Sequence, residues 1–268
     1  MEIKVNNVNQ ALCLGVEYLK LEGVEKDTRA GRVLELPFPM KTIYTQPKER
    51  VLFCPKRDAN PFFHVFESLW MLCGRDDATW LDQFVSDFSS RFAEEGGIQH
   101  GAYGKRWRGW FDLADSEEWD IEYKVAGPDE DQLKVLIQLL KNNPDDRQCV
   151  LAMWDPNIDL ASVVKDKPCN THIYFTGRRG VLDMEVCNRS NDIVWGAYGA
   201  NAVHMSFLQE YVATSVGLEV GHYYQNSFNY HAYLDSFDKV KDCEIDDRYL
   251  GGKLHIEPLV SEPKTFLC

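Results

Sequence analysis

The sequence predicts an α+β fold in a single domain that covers residues 1–268. Helical and strand-like segments are both present, they follow one another without regular alternation, and no repeat, low-complexity tract or linker divides the chain. A length of 268 residues and a hydrophobic content of 44% are sufficient for one large core.

The helical segments are recognised by apolar residues at helical spacing or by long apolar runs. Four segments qualify: residues 8–22, 61–73, 131–142 and 201–215. Gly23 and Gly74 are expected to end the first two. Residues 230–237 are predicted to form a short helix, and residues 96–110, which are rich in glycine and aromatics, an ordered loop.

The strand-like segments are concentrated in the second half of the chain. Residues 149–154 are typical of a buried strand, residues 172–186 of a hairpin with a glycine-containing turn, and residues 217–228 of a further strand. Residues 33–36 are the one strand expected in the first half.

The net negative charge argues against a nucleic-acid polymer as a binding partner. The net charge is −13 and the pI is near 5.0, so a nucleic-acid polymer would be repelled. A small anionic substrate remains compatible, because a few local arginines can offset the global field. The acidic residues crowd between positions 112 and 131, which predicts a solvated loop. We expect no membrane span and no signal peptide.

One of the eight cysteines stands apart. The chain has no Cys-x-x-Cys pair and no histidine cluster at zinc spacing, so no metal site is expected, and free thiols suggest a reducing, cytoplasmic location. Several cysteines lie in apolar runs, whereas Cys169 lies between two strand-like segments in Pro168-Cys169-Asn170. From the residues alone it is either a structural thiol or a nucleophile.

Four motifs in order decide between these two readings. They are Phe66-Glu67-Ser68-Leu69-Trp70 with Ala102-Tyr103-Gly104-Lys105-Arg106-Trp107-Arg108, Pro168-Cys169, Arg189-Ser190-Asn191-Asp192-Ile193-Val194-Trp195-Gly196, and His231-Ala232-Tyr233. Over roughly residues 10–238 their order and spacing resemble the thymidylate synthase family.

That resemblance implies a mixed sheet with surrounding helices, a homodimer, and 5,10-methylenetetrahydrofolate as the one-carbon donor. It also implies that Cys169 attacks C6 of a pyrimidine nucleoside monophosphate, which makes C5 nucleophilic. Glu67 would organise water and move protons, and Tyr103 would lie near the C5 proton. Asp192 would bind the pterin of the folate, which would pack at Gly196.

The resemblance also implies the residues that bind the nucleotide. Arg189 and Ser190 would hold the phosphate, with Arg147 reaching it from the partner subunit. Arg29 is the expected N-terminal phosphate ligand, and Arg32 is its alternative. The sugar hydroxyl would be held by His231 and Tyr233. Asn191 and Asp192 belong to the same substrate-binding set.

The base would be read by an asparagine, and two alignments of it are open. The spacing from Gly196 to Asn201 is one residue longer than in the family, so either Asn201 or Ala200 occupies the base-reading position. An amide can face uracil, or cytosine when flipped.

Three departures favour a hydroxymethylase over a synthase. Asn170 and Asn191 replace the usual histidine and cysteine, and Ser89 stands where synthases shield the methylene with tryptophan. The chain also stops at Cys268, without the synthases' closing tail.

We therefore expect 5-hydroxymethylation of dCMP or CMP. The alternatives are a synthase that converts dUMP to dTMP, and a non-catalytic family member. Cys169 and Glu67 argue against the last.

Overall fold

The computed structural model describes residues 1–109, 131–246, 248–250, 254 and 256–266, and it has the expected α+β architecture. Its strands are β1 (Glu2–Val5), β2 (Val24–Thr28), β3 (Gly31–Glu35), β4 (Met40–Tyr44), β5 (Val150–Ala152), β6 (Asn170–Arg178), β7 (Val181–Asp192) and β8 (Glu219–Tyr233). The helices are α1 (Val8–Glu22), α2 (Pro61–Leu72), α3 (Phe88–Phe92), α4 (Tyr103–Arg108), α5 (Gln132–Asn142), α6 (Pro156–Asp159), α7 (Asn201–Val216), α8 (Leu234–Val240) and α9 (Pro263–Phe266).

The strands form one sheet in the order β1-β4-β8-β7-β6-β5, and β3 attaches β2 to β8. The sheet is mixed: β1 runs parallel to β4 and β7 parallel to β8, whereas the other pairs are antiparallel. The parallel pairing of β7 with β8 places Asp192 beside His231. Two of the sequence motifs therefore meet at one edge of the sheet.

The predicted long helices and the hairpin are confirmed. The helices are α1, α2, α5 and α7. Asn7 caps α1 and Asn60 caps α2, since each side chain accepts a backbone N–H of the first turn. The β6–β7 turn holds Arg179 and Gly180 at φ values of 54° and 81°, a region that glycine adopts without strain.

Two predictions were wrong in detail. The segment 96–110 contains helix α4, in which Arg106 and Trp107 are fully buried. Residues 230–233 continue β8 and the helix begins only at Leu234, because His231 pairs with Glu35 of β3 as well as with Asp192 of β7. Pairing on both sides overrides the local helical pattern.

Helix α7 is the centre of the molecule. It packs against α2, α5 and the sheet strands β7 and β8. Most of its circumference is buried, so its sequence has no polar face. Polar residues on such a helix require partners, and its first two turns carry Asn201 and His204 into the site.

The acidic run that we predicted to be a solvated loop lies outside the described residues, apart from Asp131, which caps α5. Within the described ranges, none of the helices has the length and apolar character needed to cross a bilayer. The same ranges hold no cluster of three or more side chains suited to bind a metal ion.

Candidate active site

Cys169 lies immediately before β6, and its backbone carbonyl accepts the N–H of Arg189 on β7 at 2.9 Å. The Arg189 Nη2 atom is 3.9 Å from the Cys169 Sγ atom. Burial raises the pKa of the Cys169 thiol, the Arg189 charge lowers it, and Asp166 and Asp192 raise it further. Arg189 is the cation that favours the reactive thiolate.

The guanidinium of Arg189 is held in place by the chain around the nucleophile. It donates to the carbonyls of Pro168 at 3.0 Å and Lys167 at 3.1 Å, and it lies over the ring of Trp154. The side chain is nevertheless exposed on one side, so it can also face a phosphate. Ser190 follows on the same strand, half-buried and opposite Asn229 of β8.

A cavity of about 190 Å³ opens beside this strand end. Its lining brings together three predicted residues, Glu67, Tyr103 and Asn201. It also contains residues that sequence reasoning did not single out, above all His204 and Asp166. The apolar part of the wall is formed by Trp70, Met71, Phe88 and Phe92.

Glu67 on α2 and His204 on α7 form a buried acid–base pair in this wall. The Glu67 Oε2 and His204 Nε2 atoms are 2.9 Å apart, and the two residues are 8% and 3% exposed. The edge of the His64 ring faces His204, and burial lowers the pKa of His64 to about 3, so His64 is neutral at physiological pH. A carboxylate–imidazole pair facing a cavity can accept a proton from water.

Tyr103 connects the nucleophile to the cavity. The backbone N–H groups of Asn170 and Cys169 approach its phenol oxygen, and burial raises the pKa of Tyr103 well above its ordinary value. The phenol is therefore protonated at neutral pH and can donate a hydrogen bond.

The side chain of Asn170 is fully buried, yet neither its amide nitrogen nor its amide oxygen has a hydrogen-bond partner among the described residues. Buried amides are nearly always paired. An unsatisfied amide next to the nucleophile fits a site that is completed by a polar ligand or by water.

Asp192 and Gly196 are the expected folate-binding residues, and their surroundings fit such a ligand. The Asp192 Oδ1 atom accepts the Val194 N–H at 3.0 Å, whereas Oδ2 is buried and has no hydrogen-bond partner in the described part of the chain. Burial raises the pKa of Asp192 to about 6. Hydrogen bonds from the Val194 and Trp195 amides and the charge of Arg57 lower it, but they do not offset the effect of burial. The N–H donors of a pterin would satisfy the orphan oxygen.

The one-residue insertion before Asn201 is absorbed by a π-helical segment, Ile193–Ala200, with non-helical φ and ψ angles at Gly199. Widened turns of this kind accommodate an extra residue within a helix. Both Ala200 and Asn201 line the cavity, but only Asn201 carries a side-chain amide. The Asn201 Nδ2 atom donates to Asn191 Oδ1 at 3.1 Å.

The expected sugar-binding residues share one face of β8. The rings of His231 and Tyr233 meet edge to face with centroids 5.5 Å apart, as their spacing of two predicts. The His231 Nδ1 atom is buried, and no described residue forms a hydrogen bond with it. Burial raises the pKa of Tyr233, Asp192 and Cys169 raise it further, and the charge of Arg29 lowers it.

The two candidate N-terminal phosphate ligands differ in their surroundings. Arg32 is paired across the β2–β3 hairpin with Glu25 and, at 3.7 Å, with Asp27. Arg29 lies in the exposed turn of the hairpin on the side of Tyr233. This arrangement favours Arg29.

Of the expected site residues, only Glu67, Tyr103 and Asn201, with its alternative Ala200, line this cavity. Arg147 and Ser89 have other surroundings. Arg147 is exposed before β5, at the end of that strand away from Cys169, and lines a separate cleft with Tyr174 and Glu185. Ser89 turns to Asp82, to which its hydroxyl donates at 2.6 Å. The cavity wall near it is made by Phe88 and Phe92, so Ser89 is not the group that would admit water.

Comparison with known proteins gives concordant matches. A family model described as thymidylate synthase matches residues 17–263. A deoxyuridylate hydroxymethyltransferase of Pseudomonas phage M6 is 46% identical over 97% of this chain and 72% of its own length. A second protein of that name, from Bacillus phage SP01, is 37% identical over 92% of this chain. A thymidylate synthase of Corynebacterium aurimucosum is 28% identical over 82% of this chain and 76% of its own length.

The chain spans 62% of the length of the Bacillus phage SP01 protein, which is less than two thirds. The activity that the name of this relative describes belongs to a longer protein, so we treat the substrate and partners of this chain as proposals.

Proposed function

Because the chain belongs to the thymidylate synthase family, we propose that it transfers a hydroxymethyl group to C5 of deoxyuridylate. The family and the enzyme class, a one-carbon transferase, are confirmed by the matches just described. They also support the coarser reaction, folate-dependent transfer of one carbon to a pyrimidine nucleotide.

The observation that carries the proposal is the position of the Glu67–His204 pair in the wall of a cavity that Tyr103, the neighbour of the nucleophile, also lines. In the proposed reaction the Cys169 thiolate adds to C6 of the nucleotide, and C5 bonds to the methylene carbon. The folate donor, 5,10-methylenetetrahydrofolate, supplies that carbon. Loss of the C5 proton then expels tetrahydrofolate and leaves an exocyclic methylene at C5. Water adds to this carbon and gives up a proton, and the Cys169 thiolate leaves C6, which restores the C5–C6 double bond.

The acid–base pair supports water rather than hydride as the group that finishes the reaction. Addition of water requires a proton acceptor near the exocyclic carbon, which Glu67 with His204 can be. Hydride transfer would instead need the folate held in a closed, dry geometry. The net conversion is dUMP, water and methylenetetrahydrofolate to 5-hydroxymethyl-dUMP and tetrahydrofolate.

The choice of uridylate departs from the dCMP that the sequence led us to expect. It is supported by the name of the two phage relatives. For the phosphate we assign Arg189, Ser190 and Arg29, with Arg147 from a partner subunit, and for the sugar His231 and Tyr233.

Product identification tests the proposal. The protein is incubated with methylenetetrahydrofolate and, separately, with dUMP, dCMP and CMP. The nucleotides are then analysed by mass spectrometry and dihydrofolate is followed by absorbance. We expect 5-hydroxymethyl-dUMP without dihydrofolate. A methylated nucleotide with an equal amount of dihydrofolate would make the protein a synthase, and turnover of dCMP alone would overturn the assignment of the base.

A further inference from the structure

Three buried amide side chains form a continuous hydrogen-bonded series, which we call the amide relay: Gln225, Asn191 and Asn201. The Gln225 Nε2 atom donates to the Ala197 carbonyl at 3.2 Å and to the Tyr223 hydroxyl at 2.8 Å. Asn191 Nδ2 donates to Gln225 Oε1 at 3.0 Å, and Asn201 Nδ2 donates to Asn191 Oδ1 at 3.1 Å.

The orientation of each amide follows from the one before it. A backbone carbonyl can only accept, so the group of Gln225 that faces Ala197 must be its nitrogen. The Gln225 oxygen then faces Asn191, which must present its own nitrogen there. The Asn191 oxygen is left to face Asn201, which must donate. The relay therefore anchors the Asn201 amide to a fixed point of the main chain.

The relay has little freedom to rearrange. Gln225, Asn191 and Asn201 are 0%, 3% and 9% exposed, so water offers few alternative partners to the relay. Reversing Asn201 would set its oxygen against the Asn191 oxygen, and reversing Asn191 as well would set that oxygen against the Gln225 oxygen. Each reversal leaves two buried acceptors facing each other, which is costly.

Gly196 supports the same arrangement. A Cβ atom at this position would lie 2.9 Å from Asn191 Oδ1 and 3.3 Å from Asn201 Nδ2. The contact between the two asparagines crosses directly over Gly196, so glycine is needed there for the relay to close.

With one N–H given to Asn191, the Asn201 amide can present its second N–H and its oxygen to the cavity. Uracil offers a donor at N3 and an acceptor at O4, whereas cytosine offers an acceptor at N3 and a donor at its amino group. Donor and acceptor are interchanged between the two bases, so an amide of fixed orientation is complementary to only one of them.

We infer that Gln225 and Asn191 are positioning residues that select the base by fixing the orientation of Asn201. The inference rests on the proposed function, in which this amide faces uracil. Cytosine is rejected because binding it would require all three buried amides of the relay to turn over together.

The test is the ratio of kcat/KM for dUMP to kcat/KM for dCMP in wild type and variants. Asn191→Cys removes the amide that donates to Gln225 and accepts from Asn201, and so releases Asn201 from the relay. We expect the ratio to fall by roughly tenfold, the effect of one lost neutral hydrogen bond. The value for dCMP should rise while the value for dUMP falls. A purely structural role would lower both values equally and leave the ratio unchanged.

A second variant and a control complete the experiment. Gln225→Met removes the anchor to Ala197 and should also lower the ratio, which covers the case in which Asn191→Cys does not fold. Ser227→Ala is the control, because it removes only the second acceptor of Asn191 Nδ2, at 3.1 Å, and should keep the wild-type ratio.

The two proposals fail separately. If wild type prefers dCMP, uridylate is the wrong substrate, but the relay still predicts that both variants weaken that preference. An unchanged ratio in folded Asn191→Cys and Gln225→Met overturns the relay whatever the substrate.

Discussion

At the scale of single residues, the proposed chemistry depends on Cys169 and on the cation beside it, Arg189. Serine in place of Cys169 keeps the shape of the site but offers a much weaker nucleophile. We expect Cys169→Ser to bind dUMP normally and to lose turnover by on the order of 10³-fold or more. Calorimetric binding together with product formation measures both. Turnover near the wild-type rate would remove Cys169 from the mechanism.

The pH profile reports the influence of Arg189 on the nucleophile. Burial raises the pKa of the Cys169 thiol and the Arg189 charge opposes that rise. The thiolate fraction therefore grows with pH, and loss of the charge should require a higher pH for the same fraction. In Arg189→Gln the rising limb of kcat against pH, measured at saturating dUMP, should move to higher pH. Arg178→Gln is a control, since Arg178 pairs with the exposed Asp145 at the far end of β6. An unshifted limb in Arg189→Gln would contradict this role.

The proposed role of His204 can be tested separately from that of Cys169. His204→Asn removes the imidazole from the Glu67 pair and should lower kcat roughly 10²-fold. Formation of a covalent complex with 5-fluoro-dUMP and the folate should be retained, because that complex forms before water is needed. His222→Asn, a half-buried histidine absent from the cavity lining, is the matched control. Equal loss of complex formation and of turnover would mean that His204 acts earlier, in binding.

At the scale of elements, the π-helical segment Ile193–Ala200 lies between Asp192, which we propose faces the folate, and Asn201, which we propose faces the base. Asp192 caps it, and ionisation of that buried carboxyl opposes folding. The pKa of Asp192 is raised from 3.8 to about 6 in the folded chain. The penalty is absent below the unfolded pKa and complete above about 6. Asp192→Asn should therefore raise the free energy of unfolding at pH 7 by roughly 3 kcal/mol.

The gain from Asp192→Asn should disappear as the pH falls below about 4, which denaturant unfolding at several pH values can measure. Asparagine can still accept the Val194 N–H, so the cap is kept. A variant that is less stable than wild type at pH 7 would contradict this prediction, because it would show that interactions of the ionised carboxylate outweigh the free-energy cost of burying it.

The same segment shows where sequence patterns stopped being informative. Helix α7 and hairpin β6–β7 could be predicted because their patterns are local. The role of His204 could not, since one histidine on an apolar helix is only meaningful once Glu67 of α2 lies 2.9 Å away. The extra residue before Asn201 left two alignments open, because sequence spacing alone does not show a π-helical turn.

At the scale of the whole molecule, the sheet assembles most of the expected site from distant motifs but leaves out Arg147. This residue lies exposed at the other end of β5 from Cys169. If the chain forms the expected symmetric dimer, Arg147 can complete the partner's phosphate site. Mixing inactive Cys169→Ser with inactive Arg147→Ala subunits should then restore part of the activity. No recovery, with heterodimers shown to form by native mass spectrometry, would mean that each site is complete in one chain.

The source of the hydroxyl oxygen tests the central claim most directly. The reaction is run in H₂¹⁸O with dUMP and methylenetetrahydrofolate, and the nucleotide product is analysed by mass spectrometry in parallel with Cys169→Ser. The account predicts 5-hydroxymethyl-dUMP that carries one ¹⁸O from water, tetrahydrofolate as the folate product, and no product from the variant. A methyl product, or labelled product formed at an undiminished rate by Cys169→Ser, would contradict it.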